Sequence, residues 1–399
     1  MKDNVQSKRN LVVLTIGVFI VSMSLSEVTP FLSLYIAGMG HFTKSSLGIY
    51  SGIAYAAAFF AMAISSPFWG KLADRSGRRV MLIRAALGMC IAFTLMGMAT
   101  NIWEMIILRL FQGFFGGYVS NANALIAANT PKENVGRALG IIVTGSTAGG
   151  FLGPLLGGVF ASIFSLRHTF FITGLGLFLV FLITIFFIKE KFKPRKKEEL
   201  TSGKEFLAKM ANRKLIISLF ITTMVIQMIN LSINPIVSLY VKQLMSNKGN
   251  IALMAGIVSA APGIATALTA PIFGRIGDQI GAEKMLLFGF SVAFFIQLGT
   301  SFVTTIFMLI VMRFLIGFSN ATMLPSVNSL LTRYTRQDDI SRVFAYNQSF
   351  MSLGAMIGPL IGSFISGIFD YRGIFLASAF LVLINILINL FSQKEVNKS

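Results

Sequence analysis

Apolar residues occur along the chain in long continuous runs that are separated by short polar segments. Each run reaches about 20 residues, the length that an α-helix needs to cross the hydrocarbon core of a bilayer. A transmembrane barrel would instead show short segments of alternating polarity. The pattern predicts twelve transmembrane helices, near residues 11–37, 47–69, 80–99, 103–128, 138–163, 168–188, 215–240, 251–272, 285–303, 305–331, 343–368 and 373–391.

The composition leaves little room for a separate soluble domain. Hydrophobic residues make up 55% of the 399 residues and charged residues 12%, whereas a soluble domain has about 25% charged residues. The first apolar run is too long for the core of a cleaved signal peptide, so we expect an uncleaved first helix. The sequence therefore predicts an all-α membrane protein.

The positive charges are distributed unevenly between the two sets of loops. The net charge is +19, and on the predicted topology the loops beside the termini carry 26 Lys and Arg, against five opposite and three within helices. This positive-inside pattern predicts a plasma-membrane protein with both termini in the cytoplasm. We interpret the basic block 189–214 as a linker that lies on anionic lipids, and nucleic-acid binding is not expected.

The two parts of the chain repeat one another. Asp74 recurs as Asp278 after 204 positions, and Pro154 recurs as Pro359 after 205. Two parallel, pseudo-symmetric six-helix halves, 1–188 and 215–399, are therefore predicted on either side of the linker. Such halves can rock about a central site, which makes alternating access possible. The pairs at 204 positions are Pro67, Gly70, Asp74, Gly77, Arg109 and Gly113 with Pro271, Gly274, Asp278, Gly281, Arg313 and Gly317.

Two related loops each combine glycines with one acid at the equivalent position. The first loop covers 70–79, between the second and third helices, and its repeat covers 274–281. Glycines allow two helices to meet closely, and an acid can accept bonds from a helix N-terminus. A basic loop that only sets the topology would have a similar composition, but the recurrence favours a cytoplasmic latch. The residues of this predicted gate are Gly70, Asp74, Gly77, Arg78, Gly274, Asp278 and Gly281.

The fourth helix has a cation among small residues. Arg109 is followed by Gln112 and by three glycines. A guanidinium at membrane depth costs about 2.5–3.5 kcal/mol on insertion scales, so we expect it to face the interior and to have a partner. A functional role is one interpretation, and fixing helix packing through carbonyl groups is the other. Arg313 is its counterpart, and Arg84 is the remaining cation at this depth.

The fifth helix carries glycine at every fourth position, with a proline inserted. Small residues at this spacing let two backbones pack closely, and a proline can bend the helix. A plain packing seam is one interpretation. A smooth surface that slides or seals at the interface of the halves is the other. The residues concerned are Gly149, Gly153, Pro154 and Gly157.

Glu27 is the one acid of fifteen that falls well inside a predicted apolar segment. A low-dielectric surrounding favours the neutral carboxyl, so this side chain could bind and release a proton, and when ionised it could hold a cationic substrate. The alternative is a carboxylate near the helix end that reaches headgroup water. The equivalent residue of the second half is Ser232. Weaker candidates for a central cavity are Phe31, Tyr35, Gln112, Gln227, Asn230, Asn234, Gln348 and Phe350.

These motifs resemble those of the major facilitator superfamily. The loop 70–79 and the fourth-helix residues Arg109 and Gln112 match its signatures. The glycine–proline run of the fifth helix looks like the signature of its drug/proton antiporter branch. The resemblance implies the major facilitator fold, a proton relay around Arg109, a cytoplasmic gate at Asp74 and Arg78, and amphipathic, often cationic or zwitterionic, substrates.

The sequence departs from the family pattern at two places. Many relatives have an acid at the cytoplasmic end of the fourth helix that pairs with the loop arginine, where this chain has Asn129. The second loop has Ala282 and Glu283 where the first has Arg78 and Arg79. The charge relay of the family is therefore not expected here. For the second loop, only the roles of its glycines and its acid are carried over from the family.

The expected function is export of amphipathic drugs and dyes by proton-driven exchange, without a cofactor or a metal. No nucleotide-binding loop of the Gly-x-x-x-x-Gly-Lys-Ser/Thr type occurs, which argues against ATP as the energy source. A specific metabolite exporter, for example of sugars, and a transport-inactive receptor or scaffold are the alternatives. An enzyme is not expected, because the helices show no set of nucleophile, base and metal ligands. The expected partners are small amphipathic substrates, protons and anionic lipids, and the expected functional unit is a monomer.

Overall fold

In the computed structural model the described residues, 2–130, 134–190, 212–336 and 339–396, form helices joined by short connections, with no strand among them. The all-α prediction is thus confirmed for these residues. In chain order the elements are α1 (Lys2–Glu27), a 3₁₀ turn (Thr29–Phe31), α2 (Leu32–Ala37), α3 (Lys44–Ser76), α4 (Arg78–Met98), α5 (Ile102–Phe114), α6 (Tyr118–Asn129), α7 (Val135–Ile163), α8 (Leu166–Phe187), α9 (Arg213–Ser232), α10 (Val237–Leu244), α11 (Ile251–Ile280), α12 (Ala282–Thr300), α13 (Ile306–Arg333) and α14 (Ile340–Val396).

Ten helical segments in the described part of the chain are long and apolar enough to cross a membrane. Two features account for the difference from the twelve apolar runs. The fourth run is divided at residues 115–117 into α5 and α6, which have 13 and 12 residues and are each shorter than a bilayer-spanning helix. The last two runs lie in the single element α14, whose backbone leaves helical geometry at Phe369 and Asp370.

The described chain forms two compact units. Unit 1 is drawn from Met1–Thr43, Ile53–Lys196 and Val237–Ala260, and unit 2 from Lys44–Gly52, Lys197–Ile236 and Ala261–Ser399. Each unit thus includes a short segment from the other predicted half. The half boundaries at 188 and 215 stay a prediction, and residues 191–211 of the predicted linker lie outside the described residues.

The interior of unit 1 is formed where α1 packs along α7 and α8, and where α4 packs along α8. Aromatic side chains fill this interior, and Phe31, Phe93 and Phe170 are fully buried. Other large apolar side chains point outward, and Trp103 and Phe186 are 62% and 69% exposed. Exposed apolar surface of this kind marks a face that contacts lipid.

Unit 2 is built in the same way, with α9 packed along α14 and α12 packed along α13. Phe220 of α9 stacks on Phe350 of α14 with ring centroids 5.4 Å apart. A buried polar cluster joins the same two helices, because Thr222 hydrogen-bonds Asn385 at 3.0 Å and Asn389 donates to Thr222 at 2.9 Å. These bonds fix the register of α9 against the last part of α14.

Candidate functional site

The glycine run of α7 packs directly on the backbone of α1. A Cβ added to Gly149 would lie 2.8 Å from the backbone nitrogen of Met23, and one on Gly153 would lie 3.0 Å from that of Glu27. Ordinary carbon contacts are about 3.5–4.0 Å, so only glycine fits at this approach. Pro154 lies inside the same helix, and a Cβ on Gly256 of α11 would meet its carbonyl oxygen at 2.5 Å. The run therefore forms close helix contacts within unit 1, and sliding along it stays a prediction.

Glu27 is enclosed where α1, α7 and α8 meet. It is the last residue of α1 and is 1% exposed. A Cβ on Gly157 of α7 would lie 2.7 Å from its Cγ, and Thr173 of α8 lies near its carboxyl. The Oε1 atom has no hydrogen-bond partner among the described residues. The Glu27 side chain is therefore closed off from the surface of unit 1, and its role in proton binding stays a prediction.

The second repeat has the same seam without the acid. In unit 2, Gly362 of α14 packs on the backbone of Ser232 in α9, 205 positions after the corresponding contact of Glu27. A small, mostly apolar cavity remains beside Ser232. Ser378 lines this cavity and is the counterpart of Thr173. The carboxyl is thus an addition to a shared packing frame and not a requirement of it.

Arg109 is buried in α5 and is held by polar groups of unit 1. Its Nε donates to the carbonyl of Ala54 at 3.1 Å, and its Nη1 donates to Oε1 of Gln112 at 2.8 Å. The guanidinium lies 5.5 Å from the ring centroid of Tyr55, whose hydroxyl donates to the carbonyl of Thr29. Packed polar groups therefore connect the arginine to the turn that follows α1.

Its counterpart Arg313 has a different surrounding. The Nε atom of Arg313 has no hydrogen-bond partner in the described chain. The residue three positions further on is Ile316, where the first repeat has Gln112. The polar setting of the fourth-helix arginine is therefore a property of the first repeat.

The turn glycines of the two predicted gate loops share one conformation. Gly77 precedes α4 with φ 91°, and Gly281 precedes α12 with φ 95°. These positive values favour glycine, which has no Cβ to clash. Asp74 pairs with Arg78 at 3.0 Å on an exposed surface, and Asp278 is exposed as well. The loop glycines at which an added Cβ would meet open space are Gly70 and Gly274.

The N-terminus of α4 is bound by an acid that the sequence patterns did not single out. The backbone N–H groups of Arg78 and Arg79 donate to the two carboxylate oxygens of Glu190 at 3.0 and 2.8 Å. The Arg79 guanidinium also donates to the carbonyl of Ile185 at 2.8 Å. A carboxylate is favourable at a helix N-terminus. No local signal marks Glu190, because it lies in the basic segment more than 110 residues from its partners.

In the second repeat a charge pair joins the gate-loop region to the end of the fourth helix of that half, with the acid and the cation exchanged relative to the family pattern. Glu283, the counterpart of Arg79, accepts from Arg333 at 3.3 Å and from the Tyr334 hydroxyl at 3.2 Å. Arg333 ends α13 at the position equivalent to Asn129. Burial and the adjacent carboxylate raise the pKa of Tyr334. A pair between loop and helix end therefore occurs in the second repeat, with the acid on the loop.

The weaker cavity candidates are distributed over both units. In unit 1, Phe31 and Tyr35 are buried, and the Tyr35 hydroxyl donates to the carbonyl of Met96 at 3.1 Å. In unit 2, Phe350 stacks within the core and Gln348 is exposed. A common cavity stays a prediction. The remaining candidates of unit 2, all partly buried, are Gln227, Asn230 and Asn234.

The apolar spans and the two repeated seams define a polytopic helical membrane protein. The Major Facilitator Superfamily model matches residues 14–249 and 219–399. The chain belongs to this superfamily. It is a multi-pass transporter of the cell membrane and not an enzyme.

Curated relatives match nearly the whole chain. It is 45% identical over 378 residues to the multidrug resistance protein MdtG of Salmonella heidelberg (strain SL476), covering 95% of this chain and 94% of that protein. It is 45% identical over 385 residues to the MdtG protein of Escherichia fergusonii, covering 96% and 94%. These matches confirm the resemblance to the superfamily and extend it to bacterial multidrug efflux transporters.

Solved structures share the fold at low sequence identity. A bacterial homologue of the lysosomal transporter Spinster, in an inward-facing and occupied conformation, matches with a TM-score of 0.79 and 14% identity over 96% of both chains. A nucleoside transporter NupG mutant matches with a TM-score of 0.79 and 13% identity over 96% of this chain and 99% of that one. These matches show the major facilitator fold.

Proposed function

We propose that this transporter exports amphipathic drugs and dyes in exchange for protons, by alternating access of two six-helix halves that together cross the membrane twelve times. The extensive similarity to proteins named for multidrug resistance supports this substrate class. No cofactor is needed in this scheme. Each net positive charge that enters per transport cycle adds about 2.3 kcal/mol per 100 mV of membrane potential to the driving force of the pH gradient.

The burial of Glu27 is the observation that carries the proposal. Among the described residues it is the only buried acid, and one of its oxygens has no partner. A buried carboxylate is costly unless a proton or a cation neutralises it. Because one of its oxygens has no protein partner, a proton or a cationic substrate can bind there without displacing a protein group. Binding a proton releases a cationic substrate, and losing the proton restores the site for the next one.

The surroundings of Glu27 support a coupling between its charge and helix movement. The glycine face of α7 contacts α1 without side chains in between, so a small shift of α1 meets few steric barriers. The turn after α1 is also bonded to Tyr55, which lies beside Arg109. We infer that Arg109 responds to the protonation of Glu27 through this turn, while the loops at Asp74 and Asp278 gate the cytoplasmic side.

Dye efflux from energised cells tests the proposal. Cells expressing wild type, Glu27→Gln or no transporter are loaded with ethidium, and efflux is followed with and without a protonophore. We expect efflux by wild type that the protonophore abolishes, and none by Glu27→Gln at equal expression. Asp339→Asn is the matched control, because Asp339 lies outside the membrane-spanning segments. This control should export like wild type.

Different outcomes separate the parts of the proposal. Normal efflux by Glu27→Gln would contradict the coupling role and would direct attention to Arg109. Efflux that persists with the protonophore would contradict proton exchange. If wild type exported none of several dyes, a specific metabolite exporter would be the better account of the same fold.

A further inference from the structure

The fourth helix of the first repeat is interrupted inside the apolar run. α5 ends at Phe114, α6 begins at Tyr118, and Gly117 between them has φ 102°, a conformation that favours glycine. Residues 116 and 117 are neither helical nor in a turn. In a continuous helix the carbonyl groups of residues 114–116 would accept from the N–H groups of residues 118–120. Here these bonds are not formed.

Side chains from two neighbouring helices bond to these three carbonyl groups. Trp69 of α3 donates its indole N–H to the carbonyl of Phe114 at 2.7 Å. Arg84 of α4 donates through Nη2 to the carbonyl of Gly116 at 2.7 Å and that of Phe115 at 3.4 Å. The Arg84 guanidinium lies 3.8 Å from the Trp69 ring centroid, so the two donors form one cluster. The interruption is thereby compatible with a membrane interior, where free carbonyl groups are costly.

The second repeat lacks both the donors and the interruption. The residues 204 positions after Trp69 and Arg84 are Phe273 and Phe288, whose rings lie 6.0 Å apart and offer no N–H group. α13 is continuous through 318–321, the positions equivalent to 114–117. α13 also contains Pro325, which has no backbone N–H and so removes one helical hydrogen bond further along. The interruption therefore accompanies the two donors and is not a property of the repeat.

We propose that Trp69 and Arg84 are positioning residues that hold the fourth helix apart at residues 115–117, so that α5 and α6 move as separate pieces. The two side chains compete with the backbone for the same carbonyl groups. α5 carries Arg109 and Gln112, so the cluster sets the placement of this pair independently of the cytoplasmic end of the helix. The role of Arg109 rests on the proposed function, whereas the state of the helix does not.

Hydrogen exchange measured by mass spectrometry on the purified full-length protein in detergent, without substrate or gradient, tests this directly. The variant Trp69→Phe/Arg84→Phe installs the residues of the second repeat. The freed carbonyls then accept from the amides of residues 118–120, and we expect these amides to exchange about tenfold more slowly. Ser65, which also donates to the Phe114 carbonyl at 3.3 Å, is left unchanged.

Two further variants separate the bonding role from simple packing. Arg84→Lys keeps a cationic donor, so exchange at residues 118–120 should stay close to wild type. Gly117→Ala penalises the positive φ and should slow exchange as the double variant does. Gly150→Ala is the control, because its added Cβ meets open space in α7, and it should leave these amides unchanged.

The intrinsic fluorescence of Trp69 gives an independent readout. The chain has two tryptophans, so Trp103→Phe leaves Trp69 as the only one. In that background Arg84→Phe should shift the emission of Trp69, because its cation partner is lost. Exchange at residues 118–120 that is unchanged or faster in both the double variant and Gly117→Ala would overturn the proposal, whether or not the protein exports dyes.

Discussion

At the scale of single residues, the position of Glu27 depends on the glycine at 157, which has no side chain to displace it. An added Cβ at Gly157 would collide with the carbonyl oxygen of Glu27 and approach its Cγ. In the second repeat Gly362 makes the same approach to Ser232, so the glycine serves the helix contact whether or not an acid is present. The chemistry of the site is therefore set by one side chain on a repeated frame.

Gly157→Ala should destabilise the protein by about 1–3 kcal/mol, because overpacking forces α1 and α7 apart. Thermal unfolding of the detergent-solubilised protein measures this as a lower Tm. Gly150→Ala is the matched change on the same helix, where an added Cβ meets nothing within 4 Å. We expect its Tm to equal or exceed that of wild type, since alanine favours helix. Equal losses in the two variants would contradict the close contact at Gly157.

At the scale of elements, the start of α4 depends on a residue that is distant in the sequence. Glu190 accepts from two backbone N–H groups of the first turn, while the nearby acid Asp74 pairs with Arg78. The same segment is bonded to α1, because the side-chain amide of Asn10 donates to the carbonyl of Lys189 at 2.8 Å. The residues that follow α8 thus tie α1 and α4 together.

Glu190→Ala should lower the stability of the protein by about 1 kcal/mol, the usual effect of removing a helix cap. The expected result is a lower Tm in detergent. Lys189→Ala is the control, since the bonds of Lys189 to Asn10 involve its backbone and survive the substitution. A Tm that falls equally in both variants would indicate a general effect of altering this segment and would contradict the capping role.

The fourth helix differs from its prediction because its interruption depends on residues of other helices. Apolar runs and recurring glycines are local signals, so the sequence could predict the helices, the repeat and the close-packing face of α7. The glycines at 116 and 117 lie among the small residues of the fourth apolar run, and nothing near them in the sequence indicates an interruption. It depends on Trp69 and Arg84, which come from other helices. The cap by Glu190 was missed for the same reason, because its partners are remote in the sequence.

At the scale of the whole molecule, the two repeats share a backbone frame and differ in chemistry. The first has a buried acid at Glu27, an interrupted fourth helix and a basic loop. The second has Ser232, the continuous helix α13 and a loop acid that binds Arg333. Ion coupling therefore belongs with the first repeat in our proposal, and the second supplies a counterpart without an acid.

The distribution of charge predicts how the whole molecule lies in the membrane, with both termini in the cytoplasm. Cysteine labelling tests this orientation, because Cys90 is the only cysteine and can be replaced by alanine. In that background His41→Cys lies between α2 and α3, and Asn134→Cys precedes α7, both at exposed positions. A membrane-impermeant maleimide should label the first in intact cells and the second only after permeabilisation. The reverse pattern would contradict the orientation, and the cysteine-free parent should stay unlabelled throughout.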